Sequence, residues 1–192
     1  MVVMGSKLEK YSDPELFELV QSRGKLADAA FSELYDRHSP RVFAYCRRFL
    51  GNKEEAQDVL QDTFVRLYKS AKKDREMTNV PAFILTIARN LCVNFIKKQK
   101  PVVSYEDYMH VSDNINGDDK ELLGLIKMAI EVLPDDYKEV FILREYDGLS
   151  YKDIADVTGS TMNNVKVRIY RAKQKVKEIL EPYLEDLSKH DK

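Results

Sequence analysis

Between Ser150 and Lys177 the chain carries a short apolar face, a glycine and a longer basic amphipathic stretch, and this order restricts its possible folds more than any other feature. Ser150 and Asp153 have the spacing of a capping box, with aspartate in place of the usual Glu or Gln. Ile154, Ala155 and Val157 give one short helix an apolar face, Gly159 supplies a turn, and Ser160 or Thr161 can cap the next helix. In that helix Met162, Val165, Ile169, Ala172 and Val176 recur at three- and four-residue steps and mark the inward side. Asn163, Lys166, Val167, Tyr170, Arg171 and Gln174 then share the outward side. From Thr161 to Lys177 there are six Lys or Arg and no acid, whereas the rest of the chain mixes both signs. Short helix, glycine turn and basic second helix together describe a helix-turn-helix whose second helix reads DNA. Lys166 and Arg171 suit guanine edges and Asn163 suits adenine, while Arg168, Lys173 and Lys175 suit phosphates.

The remainder reads as helices too. Seven Gly and six Pro in 192 residues leave little punctuation for a fold of many short strands. A first block runs over 8–99. Asp13-Pro14 reads as an N-cap and first-turn pair, followed by Leu16, Leu19 and Val20 on helical spacing. A second helix after Gly24 carries Leu26, Ala30, Phe31, Leu34 and Tyr35. Ser39-Pro40 predicts the start of a third, with Phe43, Cys46, Phe49 and Leu50 inward and Gly51 as its stop. Asn52 and Glu55 form a capping-box pattern for a helix whose buried stripe is Ala56, Val59, Leu60, Phe64, Leu67 and Tyr68. Thr78-Asn79-Val80-Pro81 opens another, with Ile84, Ile87, Ala88, Leu91 and Phe95 on one side. From 100 to 119 the periodicity disappears and acids gather, as in a solvated linker. A second block over 120–187 has one helix ending at Pro134 and another from Asp135 to about Tyr146, closed by Gly148, ahead of the helix-turn-helix. The expected architecture is all-α: two small helical domains joined by a flexible acidic linker, the second a helix-turn-helix domain.

A formal net charge of -1 does not by itself announce a nucleic-acid binder, so that reading rests on local clustering. Cys46 and Cys92 are far apart and each lies in an apolar helical pattern, which predicts buried thiols in a reducing cytoplasm. Three His and two Cys offer no metal-ligand spacing, and there is no nucleophile–base motif or phosphate-binding glycine loop. No cofactor, no metal and no enzymatic activity are therefore expected. The N-terminus lacks the apolar run of a signal peptide, and no uninterrupted apolar run approaches the roughly 20 residues that cross a bilayer. A cytoplasmic protein without membrane insertion is expected.

Three further runs sharpen this reading. Leu133-Pro134-Asp135-Asp136-Tyr137-Lys138-Glu139-Val140-Phe141, Arg144 through Ala155, and Val165 through Lys173 closely resemble region 4 of extracytoplasmic-function (ECF) sigma factors. Asp58 through Tyr68 and Ile87-Ala88-Arg89-Asn90-Leu91 resemble region 2 of the same group. The resemblance implies a factor that carries core RNA polymerase to promoters. Region 2 would bind the polymerase β′ clamp and open the −10 element, and region 4 would bind the −35 element and the β flap. It also implies an anti-sigma protein as a partner, and an acidic linker that threads the RNA channel.

Site residues follow from pattern and resemblance together. Removing the buried stripe of the helix after Asn52 leaves Glu54, Asp58, Gln61, Asp62 and Val65 on its outside. Alone this is a solvated acidic face; with the resemblance it becomes the polymerase-docking face, Asp58 and Asp62 one turn apart facing clamp arginines. Arg89, Lys97 and Lys98 lie in a stretch without acids between Pro81 and Ser104, suited to the phosphates of a single strand. By resemblance Asn90 lies where relatives capture a flipped base; the residues alone do not separate it from Asn94. The −35 set is Asn163, Lys166, Val167, Arg168, Tyr170 and Arg171. Departures from the group include Phe83 where Trp is common, Asn163-Asn164 where Gly-Thr is common, and Val167 for Ser. Val167 can touch a thymine methyl but donates no hydrogen bond, which points to an altered −35 sequence. The alternative is a stand-alone helix-turn-helix regulator with the first block as a sensor or dimerisation domain, which would footprint without polymerase.

Overall fold

The computed structural model describes residues 8–22, 24–72, 77–99 and 118–190, and among them every regular element is helical. Residues 73–76 and the acidic stretch 100–117, Lys100 included, lie outside the described residues. The helices fall into two compact units, the first built on α1–α4 and the second on α5, α6, most of α7, and α8. Within the first, α1 is Asp13–Gln21, α2 Lys25–Leu50, α3 Lys53–Ala71 and α4 Val80–Gln99.

Ser12, one residue earlier than the Asp13-Pro14 reading, caps α1, and Asp13 and Pro14 form its first turn. The Ser12 backbone N–H and hydroxyl both donate to Glu15 Oε2 at 2.6 Å, and these bonds hold the Glu15 carboxyl below its ordinary range. Asn52 caps α3 as expected, its Oδ1 accepting from the amides of Glu54 and Glu55 at 2.9 and 3.3 Å. Asn79 Oδ1 does the same for α4, accepting from Ala82 N at 3.1 Å.

The two helices expected on either side of Ser39-Pro40 are one. α2 runs through Pro40 to Leu50 and ends at Gly51 with φ +77°. Proline removes one intrahelical donor, but Asp36 and Pro40 are exposed, so water can serve the orphaned carbonyl. The burial of Ala27, Ala30, Leu34, Val42, Tyr45, Cys46 and Phe49 along the same helix outweighs that loss. Against the sequence reading, Leu26 and Tyr35 are exposed and Phe43 and Leu50 only half-buried. α1 packs on both α2 and α3, and α2 on α3. Phe17, Leu34, Leu67, Ile84 and Cys92 are among the fully buried side chains, and both cysteines are free thiols.

α4 is long and apolar enough to cross a membrane by length and composition, with mean hydropathy 1.3 over Val80–Lys98. The sequence reading found no uninterrupted run because Thr86, Arg89, Asn90 and Asn94 break it. The helix buries Val80, Ile84, Leu85, Ala88, Leu91 and Cys92.

In the second unit α5 is Asp118–Glu131 and α6 Asp135–Phe141, which continues as a π-helical turn over Ile142–Tyr146. α7 is Tyr151–Thr158 and α8 Met162–His190. α8 packs against α5 and α6. The chain turns at Gly148 and Gly159, both left-handed with φ near +65°. Such backbone favours glycine because it lacks a Cβ.

Candidate nucleic-acid interface

The helix-turn-helix is built as its sequence suggests. Ser150 caps α7 reciprocally: Asp153 N–H donates to Ser150 Oγ at 3.1 Å, and the Ser150 amide and hydroxyl donate to Asp153 Oδ2 at 3.3 and 2.6 Å. Thr161 rather than Ser160 caps α8, accepting from Asn164 N at 3.3 Å. Val165, Ile169 and Ala172 are buried at 0–3% exposure and fix the rotation of α8. Met162, read from the pattern as inward, is 47% exposed because it sits in the first turn. Val176 is half-buried.

That rotation leaves Asn163, Lys166, Val167, Tyr170 and Arg171 exposed on one face, Val167 at 48% and Tyr170 at 64%. Arg168 is the exception among the six −35 residues. It is half-buried, its Nη1 3.5 Å from Ser160 Oγ and its Nε 3.7 Å from Asp136 Oδ2. Lys173 Nζ lies 2.9 Å from Glu145 Oε1. Arg171 Nη1 donates to the Tyr137 hydroxyl at 3.5 Å, a contact that raises the guanidinium pKa further, and Lys166 Nζ stands 5.9 Å from the Tyr151 ring centroid. Arg144 lies over the same ring at 4.8 Å and donates to Leu149 O at 2.7 Å, tying the π turn to the start of α7.

In the first unit α3 presents Glu54, Asp58, Gln61, Asp62 and Val65, all exposed and on one side, opposite the buried Ala56, Val59, Thr63, Phe64 and Leu67. Beside Gln61 and Val65 the helix surface opens into an apolar groove of about 500 Å³, lined also by Phe31, Tyr35, Phe64, Tyr68 and Lys69. Along it Phe31 packs edge-on against Phe64 and Tyr68, with ring centroids 6.3 and 5.2 Å apart. The sequence pattern puts Phe64 and Tyr68 in a buried stripe and Phe31 and Tyr35 on an amphipathic stretch; only Phe64 is fully buried. The exposed Tyr35 and Val65 were the available hint.

On α4, Asn90, Asn94, Lys97 and Lys98 are exposed and Arg89 is half-buried. Arg89 Nη1 donates to Asn90 Oδ1 at 3.1 Å, a contact that engages the amide's oxygen and not its N–H groups. Asn90, Asn94, Lys97 and Lys98 follow at steps of three and four residues, so one strip of helix carries two amides and two cations. Among the described residues no group of three or more metal-ligating side chains occurs.

Comparison with known proteins places this geometry in a family. Residues 34–102 match Sigma-70 region 2 and residues 123–176 match Sigma-70, region 4, together more than half of the chain. The RNA polymerase sigma-H factor of Pseudomonas aeruginosa is 28% identical, over 93% of this chain and 99% of its own length. The ECF RNA polymerase sigma factor SigW of Bacillus subtilis is also 28% identical, over 79% of this chain and 89% of its own. Among solved structures, the sigma factor RpoE in complex with the anti-sigma factor NepR from Bartonella quintana has the same fold. Its TM-score is 0.63 at 24% identity, covering 79% of this chain and 96% of that one. With matches to both regions in order and relatives of the same kind and length, the chain belongs to the sigma-70 family as an ECF-type RNA polymerase sigma factor.

Proposed function

We propose that the three exposed faces divide the work of promoter recognition, with binding and no bond-making chemistry in this chain. Residues 8–99 serve as region 2, 100–119 as the linker and 120–187 as region 4. The α3 face of Glu54, Asp58, Gln61, Asp62 and Val65 docks on the β′ clamp of core polymerase. Its carboxylates attract and register clamp cations, and the neighbouring groove takes an apolar side chain of the partner. The α4 strip holds the opened −10 strand: Asn90 reads a flipped base through its N–H donors, which the Arg89 contact leaves unused, while Lys97, Lys98 and Arg89, with Asn94, engage the backbone. Asn163, Lys166, Val167, Tyr170 and Arg171 read the −35 duplex in the major groove, and region 4 also meets the β flap.

The observation that carries the reading is the α8 face, exposed and free of acids from Thr161 to Lys177 on a capped helix-turn-helix. An anti-sigma protein is the proposed antagonist, on the analogy of the Bartonella sigma factor bound to NepR. The proposed place of action is the cytoplasm, with the polymerase. The test is a charge reversal: Asp58→Lys with Asp62→Lys should abolish binding to sigma-free core polymerase and leave duplex affinity of the full chain unchanged. Retention of core binding by the double variant overturns the docking face.

A further inference from the structure

Four cations of α8 are met by side chains from earlier elements of the same unit, and the partners sort by charge. Lys166 and Arg171, on the exposed reading face, are met by the neutral rings or hydroxyls of Tyr151 and Tyr137. Arg168 and Lys173 are met by carboxylates, Asp136 on α6 at 3.7 Å and Glu145 on the π turn at 2.9 Å. The side chains of the two acids are 52% and 35% exposed, so these pairs add little to folding. Their electrostatic effect on an incoming polyanion is not small. Duplex DNA presents phosphates whatever its sequence, and each cation free to neutralise one adds affinity for every sequence alike.

We infer that Asp136 and Glu145 are specificity-determining residues of the −35 reader, because they cancel Arg168 and Lys173, whereas the base-reading Lys166 and Arg171 meet only neutral tyrosines and keep their charge. The inference rests on the reading of α8 as the duplex-binding helix. Carboxylates beside Arg168 and Lys173 lower affinity for arbitrary duplex, while Lys166 and Arg171, with neutral partners only, retain bidentate contacts to the correct bases. The promoter is then distinguished from the excess of other DNA by a wider ratio than six uncancelled cations would allow.

The experiment uses the full chain and two short fluorescent duplexes, one of arbitrary sequence and one carrying a −35 site selected by the chain itself, with affinity followed by anisotropy across a salt series. Glu145→Gln and Asp136→Asn should each tighten binding to arbitrary duplex by roughly five- to tenfold at about 0.1 M salt, and steepen the slope of log K against log salt by about 0.9. The ratio between selected and arbitrary duplex should fall. Adding Lys173→Ala to Glu145→Gln should return the slope to the wild-type value, which a general loss of negative charge does not explain. Asp28→Asn, which removes one exposed acid from α2, is the control for net charge and should not change the slope.

Wild-type affinity and slope in both neutralised variants overturn the inference while the duplex-reading assignment stands. Weaker binding by Glu145→Gln also overturns it, since the carboxylate would then be positioning Lys173 for phosphate. Failure of the wild type to bind either duplex at low salt overturns the duplex-reading assignment and the inference together.

Discussion

Arg37 ties the segment before α1 to the middle of α2, and the consequence of removing it can be worked from its contacts. Its guanidinium donates to Glu33 Oε1 at 2.7 Å and Asp13 Oδ1 at 3.1 Å, and to the carbonyls of Tyr11, Glu9 and Leu8 at 2.8, 3.0 and 3.2 Å. The Glu33 pair is an i,i+4 contact along one helix and contributes about 0.5 kcal/mol. Asp13 is partly buried but keeps His38 Nε2 at 2.9 Å as a second partner, so losing Arg37 costs about 1 kcal/mol there. The carbonyls of Tyr11 and Glu9 are exposed and can turn to water, and that of Leu8 keeps the Tyr11 amide at 3.0 Å, so each loss costs about 0.3–0.5 kcal/mol. Arg37→Met, which keeps the aliphatic stem, should therefore lower the stability of the first unit by about 2–3 kcal/mol. Arg37→Lys should recover less than half, because an ammonium cannot span the fork. Partial desolvation lowers the Arg37 pKa, but hydrogen bonds and charge from Glu33 and Asp13 outweigh it and raise it, so the clamp persists throughout the working pH range. Equilibrium urea unfolding followed by helical circular dichroism measures the change. A loss below about 0.5 kcal/mol would refute the idea that these bonds fasten the N-terminal segment.

Asn52→Ala removes the acceptor for two amides at the start of α3 and should cost about 1 kcal/mol by the same denaturation, with Asn52→Ser recovering most of it. Lys138 is pushed below its ordinary value by burial, against the pull of Glu131 and Asp135, so the folded chain holds that proton less tightly than the unfolded one. The penalty is full below the lowered folded value and vanishes as pH rises to the unfolded one; Lys138→Met should stabilise at neutral pH, with a gain that shrinks in alkaline denaturation curves. Glu15 has the opposite sign: its stabilising contribution is present above the ordinary glutamate range and is lost as pH falls through the lowered folded value. Glu15→Gln should flatten the acid limb of the stability profile. On α8, Arg171→Ala should cost about 1–3 kcal/mol at one base position, while Lys175→Ala should weaken binding to all sequences alike in competition assays. Equal losses on every sequence for both variants would remove the division of roles.

The repeating apolar positions of α8 were enough to say which residues face outward, because Val165, Ile169 and Ala172 bury a single stripe and leave the helix no other rotation. The caps at Asn52 and Ser150 were equally legible, being contacts between residues two or three apart, whereas the pattern left Ser160 and Thr161 both open and the fold chooses Thr161. Pro40 misled because its penalty is local, whereas the burial that keeps α2 continuous comes from α1 and α3. The groove beside Val65 needed two helices to be seen, since Phe31 and Tyr35 come from α2 and the rest from α3. The pairs Asp136–Arg168 and Glu145–Lys173 join residues 32 and 28 apart, and the second depends on a π turn that no periodicity announces. Sequence pattern thus located the cations of α8, and only the fold showed which of them carry a neutralising partner.

Transcription by sigma-free core polymerase on a genomic promoter library tests the central claim most directly. With the wild-type chain added, the account predicts transcripts from a defined set of promoters, and their loss when Arg171→Ala or Asp58→Lys with Asp62→Lys is substituted. Footprints at those same sites without polymerase, together with no core binding and no chain-dependent transcripts, would contradict it.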